Sequence, residues 1–473
     1  MRAQRIVNLH LPQRVLSIVC RLGGFLAPSV VVLLATIHSA AAQSIDIIRD
    51  AEIERVLRSY EDPILGAAGI NPHTVKIYLV NDPEINAFAT QSPVPGEAES
   101  IFVNAGTFLE LKTPNQIIGI LAHETGHIAG GHIVRDSSAI RKATIPMLLG
   151  LALGAAAMAL GGGEAGLGIM ALGQQAAQAQ FFQFSRAQEG TADQMGQKYL
   201  RLTHQSGRGM LEVFNKFAGM EAEITYGHNE PLITDHPLSR ERIDLLQQLV
   251  ESSPYKDVKD SPETIHEFHL IQAKLAGFLN RVDTALQRYP PSDTSEEARY
   301  ARAIAYFRQP DMKSALAEAN TLVKLDPKNP FFWEVLGQIY VEMSQPQNGI
   351  LPYQKSVDLA PDEPLLRLSL AAAQIATGKP QFAKPALDNL KIVLRQENNN
   401  TFAWYEAAQA YSDTGNEPMA NLSTAELDYT IGNFSAAAHF ATLAQHKLAA
   451  GSPDWQRAGD ILAIASSNSD KRH

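Results

Sequence analysis

Small residues recur every 34 positions through the second half of this chain, at Ala303, Gly337 and Ala371. Leu325-Asp326-Pro327 returns at the same interval as Leu359-Ala360-Pro361. A fixed period of this length restricts the fold strongly. Each unit is too short to bury its own apolar face and must stack on its neighbours. The small residue lets the two helices of a hairpin approach, and the proline ends the second helix. Trp333 and Tyr340 come back as Trp404 and Tyr411 after a shift of three, across Asn398-Asn399-Asn400. Ala425, Tyr429, Gly432 and Ala437 begin another unit. Residues 254–473 therefore read as stacked helical hairpins with a concave binding face. The pattern is silent on the ligand.

Residues 43–253 read differently, with strand-like runs, a His-rich segment and a Gly/Ala-rich stretch. The polar, Pro-bearing stretch 254–262 suits a boundary. The chemistry lies in His123-Glu124-Thr125-Gly126-His127. In a helix, positions i and i+4 share a face, so both imidazoles reach one ion with Glu124 beside it. Thr113 suits an N-cap, Pro114 the first helical position and Gln116 the third position of a capping box. Ile117, Ile118, Ile120 and Leu121 supply apolar surface to bury that helix.

A catalytic zinc needs three protein ligands and an open position. Ligand chemistry must come from His and carboxylates, because the chain has one cysteine, Cys20. That count also excludes a disulfide framework and a Cys-based zinc ribbon. His132 lies nine residues after His123, one short of the metzincin spacing, so it is expected to cap the helix end or bind a carbonyl. Glu189 is the better third ligand. It stands four residues before Asp193, again on one helical face, and 62 residues after His127. One carboxylate can bind the ion while the other accepts the free ring N–H of His123 and fixes its tautomer.

These features carry a resemblance. The repeats resemble tetratricopeptide repeats, and H-E-x-x-H followed by E-x-x-x-D is the gluzincin pattern. With Asn86-Ala87-Phe88, residues 101–106, residues 185–193 and Asp235-His236-Pro237 with Arg242, the chain resembles the HtpX and CAAX-prenyl-protease metallopeptidase family. It is most similar to the exported, repeat-bearing branch of BepA-like proteases. The resemblance covers most of residues 70–250, and the repeats extend it to nearly the whole chain after residue 42. It implies an α+β, mainly α protein: a gluzincin-type metallopeptidase domain with a small sheet, then a tetratricopeptide-repeat superhelix. It implies one Zn2+ per chain on His123, His127 and Glu189, with Glu124 as catalytic acid/base and Asp193 assisting. It further implies unfolded or stalled envelope proteins as substrates and the outer-membrane assembly machinery as a partner.

Residues 75–80 and the stretch around Asn86 read as strands flanking the site. Asn86 and Ala87 present an edge to which substrate backbone adds, the alternative being a turn after Asp82-Pro83. Arg242 is a third candidate for substrate contact. His236, stiffened by Pro237, has two functional readings besides a loop residue capping the next helix. It stabilises the tetrahedral oxyanion, or it takes the fourth zinc position and holds the enzyme latent. The second reading is preferred.

Residues 1–42 read as a cleaved export signal: Arg2, Arg5, Arg14 and Arg21, an apolar run over 25–37, then Ala40-Ala41-Ala42. Removing those four arginines from 40 basic residues leaves 36 against 50 acidic ones, a charge of −14. That balance excludes a nucleic-acid footprint, and the cysteine-free remainder suits an oxidising periplasm. Residues 143–163 carry no charge over 21 positions. They are expected to form a hydrophobic insertion beside the cleft that touches membrane, substrate or partner rather than a span. Two other function classes remain, a non-proteolytic chaperone or adaptor acting through the repeats and a membrane-anchored protease.

Overall fold

The computed structural model describes residues 45–92, 99–133, 170–171, 186–225, 236 and 239–469. Residues 1–42 and 143–163, with the export and insertion readings, lie outside the described residues. No helix among the described residues is long and apolar enough to cross a membrane. The chain divides into two compact units, Ile53–Gln272 and a second made of Met1–Glu52 with Ala273–His473. The fold is α+β and mainly α.

The second unit begins with a two-residue strand, β1 (Ile47–Ile48). The other unit holds three strands, β2 (Val75–Val80), β3 (Ala87–Gln91) and β4 (Glu99–Asn104). In space they run β2-β4-β3. β2 pairs with β4 in parallel, Val75 opposite Glu99, and β3 pairs with β4 antiparallel, Ala87 opposite Val103. Central β4 is buried along almost its whole length, as a strand covered on both faces must be. Phe102 stacks between Tyr78 and Phe88, with ring centroids 5.4 and 5.1 Å away. β3 ends the strand order, and its outer edge has no partner strand among the described residues.

Helices α1 (Ala51–Ala68), α2 (Ala105–Glu110) and α3 (Pro114–Ala129) build around this sheet. α3 is the helix expected from the sequence. Gln116 Oε1 accepts from the backbone N–H of Lys112 at 2.7 Å and of Thr113 at 3.4 Å, satisfying donors at the helix entry. Ile117, Ile118, Ile120 and Leu121 are all buried. Then follow α4 (residues 186–202), α5 (Arg208–Thr225) and α6 (Arg240–Ser252).

In the repeat region antiparallel helix pairs follow one another, for example α7 (Pro330–Glu342) with α8 (Pro346–Leu359). Ala303 and Ala371 are fully buried. A Cβ on Gly337 would meet the Tyr353 ring at 2.8 Å, so the small residue does permit close approach within the hairpin. The shifted tryptophans are equivalent. Trp333 donates to the carbonyl of Pro327 at 3.0 Å and Trp404 to that of Asn398 at 2.8 Å, each six residues back.

Candidate metal centre

α3 and α4 cross with almost nothing between their backbones. A Cβ on Gly126 would stand 2.6 Å from the Ala192 carbonyl oxygen, and one on Gly196 3.0 Å from that of Ala122. This contact sets His123 and His127 of α3 against Glu189 and Asp193 of α4. All four are at least nine-tenths buried.

The donor atoms meet around one point. His123 Nε2 lies 3.2 Å from His127 Nε2, and each lies 3.4 Å from a Glu189 carboxylate oxygen. His236 adds Nδ1, 3.4 Å from His123 Nε2 and 3.1 Å from Glu189 Oε1. Ligand atoms of these four residues all fall within 4.8 Å of one another. Tetrahedral ligands at 2.0–2.1 Å from a zinc ion are about 3.3–3.4 Å apart. The separations between neighbouring donors, 3.1–3.4 Å, match that spacing.

Tautomers point the same way. Asp193 Oδ1 lies 3.0 Å from His123 Nδ1, the ring nitrogen facing away from the shared point. His132 Nδ1 lies 3.1 Å from His127 Nδ1 in the corresponding place. With the hydrogen on each outer nitrogen, both Nε2 lone pairs face each other at 3.2 Å, a pairing that either a shared cation or a proton on one ring satisfies. Electrostatics agree, since Glu189 and Asp193 share the Arg242 guanidinium while Glu124 lies beside His236. Burial disfavours a charged His123, yet its contacts with Asp193 and Glu189 win and push it up to about 10. Burial likewise opposes the Glu189 carboxylate, but three surrounding imidazoles hold it far below the usual carboxylate range.

Arg242 is largely committed to this cluster. Its guanidinium donates to Asp193 at 2.8 and 2.9 Å and lies 3.1 Å from Glu189. The side chain is buried, and its visible role is to hold the two carboxylates. Asn86 is partly taken up by the fold. Its N–H donates to Thr107 Oγ1 at 3.1 Å, and its carbonyl accepts from Asn104 N–H at 2.9 Å. Ala87 opens edge strand β3. Glu124 is buried, with His236 Nε2 3.5 Å from its carboxylate. His236 thus faces the ligand cluster with one nitrogen and Glu124 with the other. The following helix is capped by Ser239, which accepts from Arg242 N–H at 3.3 Å, so the capping role considered for His236 is filled. Asp235 and Pro237 lie outside the described residues.

His132 departs from expectation. It does not serve the helix end alone but folds back onto the far nitrogen of His127. Gly131 turns the chain at φ +64°, and a Cβ on Gly130 would strike the His132 ring at 2.5 Å. The glycine pair after the motif was the available signal. Two further residues carry no motif at all. Phe214 sets its ring edgewise to His123 at 5.7 Å and beneath the Arg242 guanidinium at 5.2 Å. Glu61, from α1, accepts from the Thr125 hydroxyl. Burial pushes its carboxyl well above the ordinary range despite that bond.

Residues 48–250 match the family profile described as Peptidase family M48. The chain is 21% identical over 341 residues to the "Beta-barrel assembly-enhancing protease" of Yersinia pestis, covering 72% of this chain and 68% of that protein. It is 24% identical over 274 residues to the "Putative beta-barrel assembly-enhancing protease" of Vibrio cholerae, covering 55% and 53%. It is 31% identical over 172 residues to "Metalloprotease LoiP" of Escherichia coli, covering 36% and 60%. The chain thus spans between about half and two thirds of the length of these relatives.

Proposed function

We infer, for a chain whose residues 48–250 form a peptidase family M48 domain and which is therefore a metallopeptidase, that it is an exported, periplasmic zinc endopeptidase acting on misfolded or stalled envelope proteins. The carrying observation is the meeting of His123 Nε2, His127 Nε2, the Glu189 carboxylate and His236 Nδ1 at 3.1–3.4 Å. His123, His127 and Glu189 would hold the zinc, which would supply Lewis acidity to the scissile carbonyl and to the attacking water. Glu124 takes the proton from the attacking water and returns it to the leaving amine. Asp193 and Arg242 fix the ligands, Asp193 through His123 and Arg242 through both carboxylates. An unfolded segment adds to the outer edge of β3 at Ala87, which has no partner strand among the described residues, and backbone pairing there tolerates many sequences.

His236 is the latch of this reading. Its Nδ1 joins the donor cluster and its Nε2 faces Glu124, so in this reading it would stand at the fourth metal position and withdraw when substrate enters. The repeats, read as tetratricopeptide units over 254–473, recruit substrate or the outer-membrane assembly machinery. Two relatives named for beta-barrel assembly support that role. Export rests on the basic, apolar and small-residue order of residues 1–42.

Glu124→Gln tests the core of the proposal. The variant should retain one zinc by metal analysis and lose proteolysis of an unfolded protein, since Glu124 acts on the proton and not on the metal. Loss of zinc in that variant would refute the division of roles. Crosslinking and pull-down with the same variant should trap envelope proteins. A non-proteolytic adaptor would instead bind its partners unchanged while its zinc and Glu124 proved dispensable.

A further inference from the structure

A cavity of about 380 Å³ opens within the unit Ile53–Gln272, and no residue of the metal cluster lines it. It is bordered by α1, the entry of α3, the turn after α4 and the chain leading into the helix Pro262–Leu279. Asn115 lines it eight residues before His123, about 12 Å away along α3. Its volume is that of a small-ligand site. Several polar groups on its wall are engaged by the fold. Asn115 Nδ2 donates to the Ser206 carbonyl at 2.9 Å, and its Oδ1 accepts from Gly209 N–H at 2.8 Å. Ser206 Oγ donates to the Lys256 carbonyl at 2.6 Å. Three lining groups stand apart. Tyr60 is 3% exposed, and its hydroxyl has no hydrogen-bond partner among the described residues. Half-buried Asp260 accepts one N–H, from Asn115 at 3.2 Å, and forms no ion pair among the described residues. Glu267 reaches the exposed Arg55 at 3.9 Å, a surface contact of little strength. Burial, Glu267 and Asp260 push the Tyr60 phenol well above its usual range. Both carboxylates are therefore near the hydroxyl, yet neither accepts its hydrogen. A buried hydroxyl left unpaired costs free energy that a bridging donor would remove.

We propose that this cavity binds a primary ammonium group, of the kind carried by a lysine side chain or by a small free amine. An ammonium has three N–H donors and no acceptor. The cavity sets three acceptors against it, the Tyr60 oxygen and the Asp260 and Glu267 carboxylates. Bonds to the two carboxylates are charge-assisted and supply most of the attraction. Ile118 lines the same cavity and suits the methylene stem of such a ligand. Lys259 also lines it and favours the ionised form of Asp260. It forms no ion pair with either acid among the described residues, so it does not fill the place between them. The site uses none of the metal-cluster residues and stands independently of the peptidase reading.

The test is titration calorimetry on the full chain with N-acetyl-lysine methylamide, its norleucine counterpart and 1,4-diaminobutane. The lysine derivative should bind, and the norleucine one, which keeps the stem without the nitrogen, should bind at least about tenfold more weakly. Glu267→Gln and Tyr60→Phe should each weaken binding of the lysine derivative by about tenfold. Tyr60→Phe should also leave the urea midpoint unchanged or raise it, because it removes a buried, unpaired hydroxyl. Tighter binding of the lysine derivative than of diaminobutane assigns the site to a protein lysine, and the reverse order to a free amine; either upholds the ammonium site. Equal binding of the lysine and norleucine derivatives overturns it. So does binding of neither amine at millimolar concentration, or an affinity unmoved in both variants. A lowered urea midpoint in Tyr60→Phe would show that ordered water already satisfies the hydroxyl, and would overturn the site as well.

Discussion

Gly126 offers the sharpest test of how the sequence builds the metal centre. An alanine there places Cβ 2.6 Å from the Ala192 carbonyl oxygen and 2.9 Å from its Cα, both backbone atoms that no rotamer change can move. Ordinary contact begins near 3.4 Å, so α3 and α4 must part by about 0.8 Å at their crossing. Overpacking of this kind costs about 1–3 kcal/mol. The larger effect is on the site, because the crossing sets the 3.4 Å separations between His123, His127 and Glu189. Misplacement approaching ~1 Å costs about 100-fold in turnover, and zinc affinity should fall with it. Two other glycines of α4 grade the argument. Gly196→Ala meets Ala122 at 3.0 Å and should be milder. Gly190→Ala, beside the proposed ligand Glu189, meets nothing within 4 Å and should be neutral or stabilising by about 0.5–1 kcal/mol. Competition against a chromophoric chelator, urea midpoints and casein hydrolysis measure the three quantities. An unchanged Gly126→Ala protein, or a damaging Gly190→Ala, would refute the reasoning.

His132→Ala removes the hydrogen-bond partner of the outer nitrogen of His127 and should weaken zinc binding by about 10–100-fold; unaltered affinity in the chelator assay would return His132 to a structural role. His236→Ala should raise casein cleavage and produce self-cleavage if the ring is a latch, with zinc retained. Sharply reduced turnover in the same variant would assign it to the oxyanion instead. Burial pushes Glu406, on the helix Thr401–Asp413, up to about 7 from an ordinary 4.5. The folded state therefore holds this proton more tightly than the unfolded chain. Stability from the neutral form is present below about pH 4.5 and is lost as pH rises through about 7, a change of roughly 3 kcal/mol. Glu406→Gln should raise the urea midpoint above neutrality and leave it nearly unaltered at about pH 5; equal effects at both would contradict this.

Much of the centre was legible because it is local. His123 and His127 share a helical face by arithmetic, and Glu189 and Asp193 do the same four residues apart. Thr113, Pro114 and Gln116 announce where their helix begins. What could not be read is what depends on chains meeting. Nothing in residues 75–80 or 99–104 reveals that these strands pair in parallel with β3 outside, because alternation reports burial and not partner. Phe214 sits on a helix with no motif, and Glu61 meets Thr125 across 64 residues. His132 lies between these cases. Its distance along the chain argued against ligation, and only the turn at Gly130-Gly131 brings it behind His127.

The choice of histidine for position 236 follows from the charge already gathered there. Glu189 and Asp193 share the Arg242 guanidinium and Glu124 stands beside His236, so a fourth carboxylate would add repulsion within a buried cluster. A neutral imidazole adds no charge, is a competent zinc ligand and releases more readily than a thiolate. Nearby carboxylates do favour its protonated form, since Glu124 and Glu189 outweigh the burial that opposes it, but a cation on the cluster reverses that preference. Phe214 and Phe217 line the same small cavity as this ring, and its carbon edge suits them. A latch of the proposed kind needs one donor for the metal cluster and another for Glu124, and the ring offers Nδ1 to the first and Nε2 to the second.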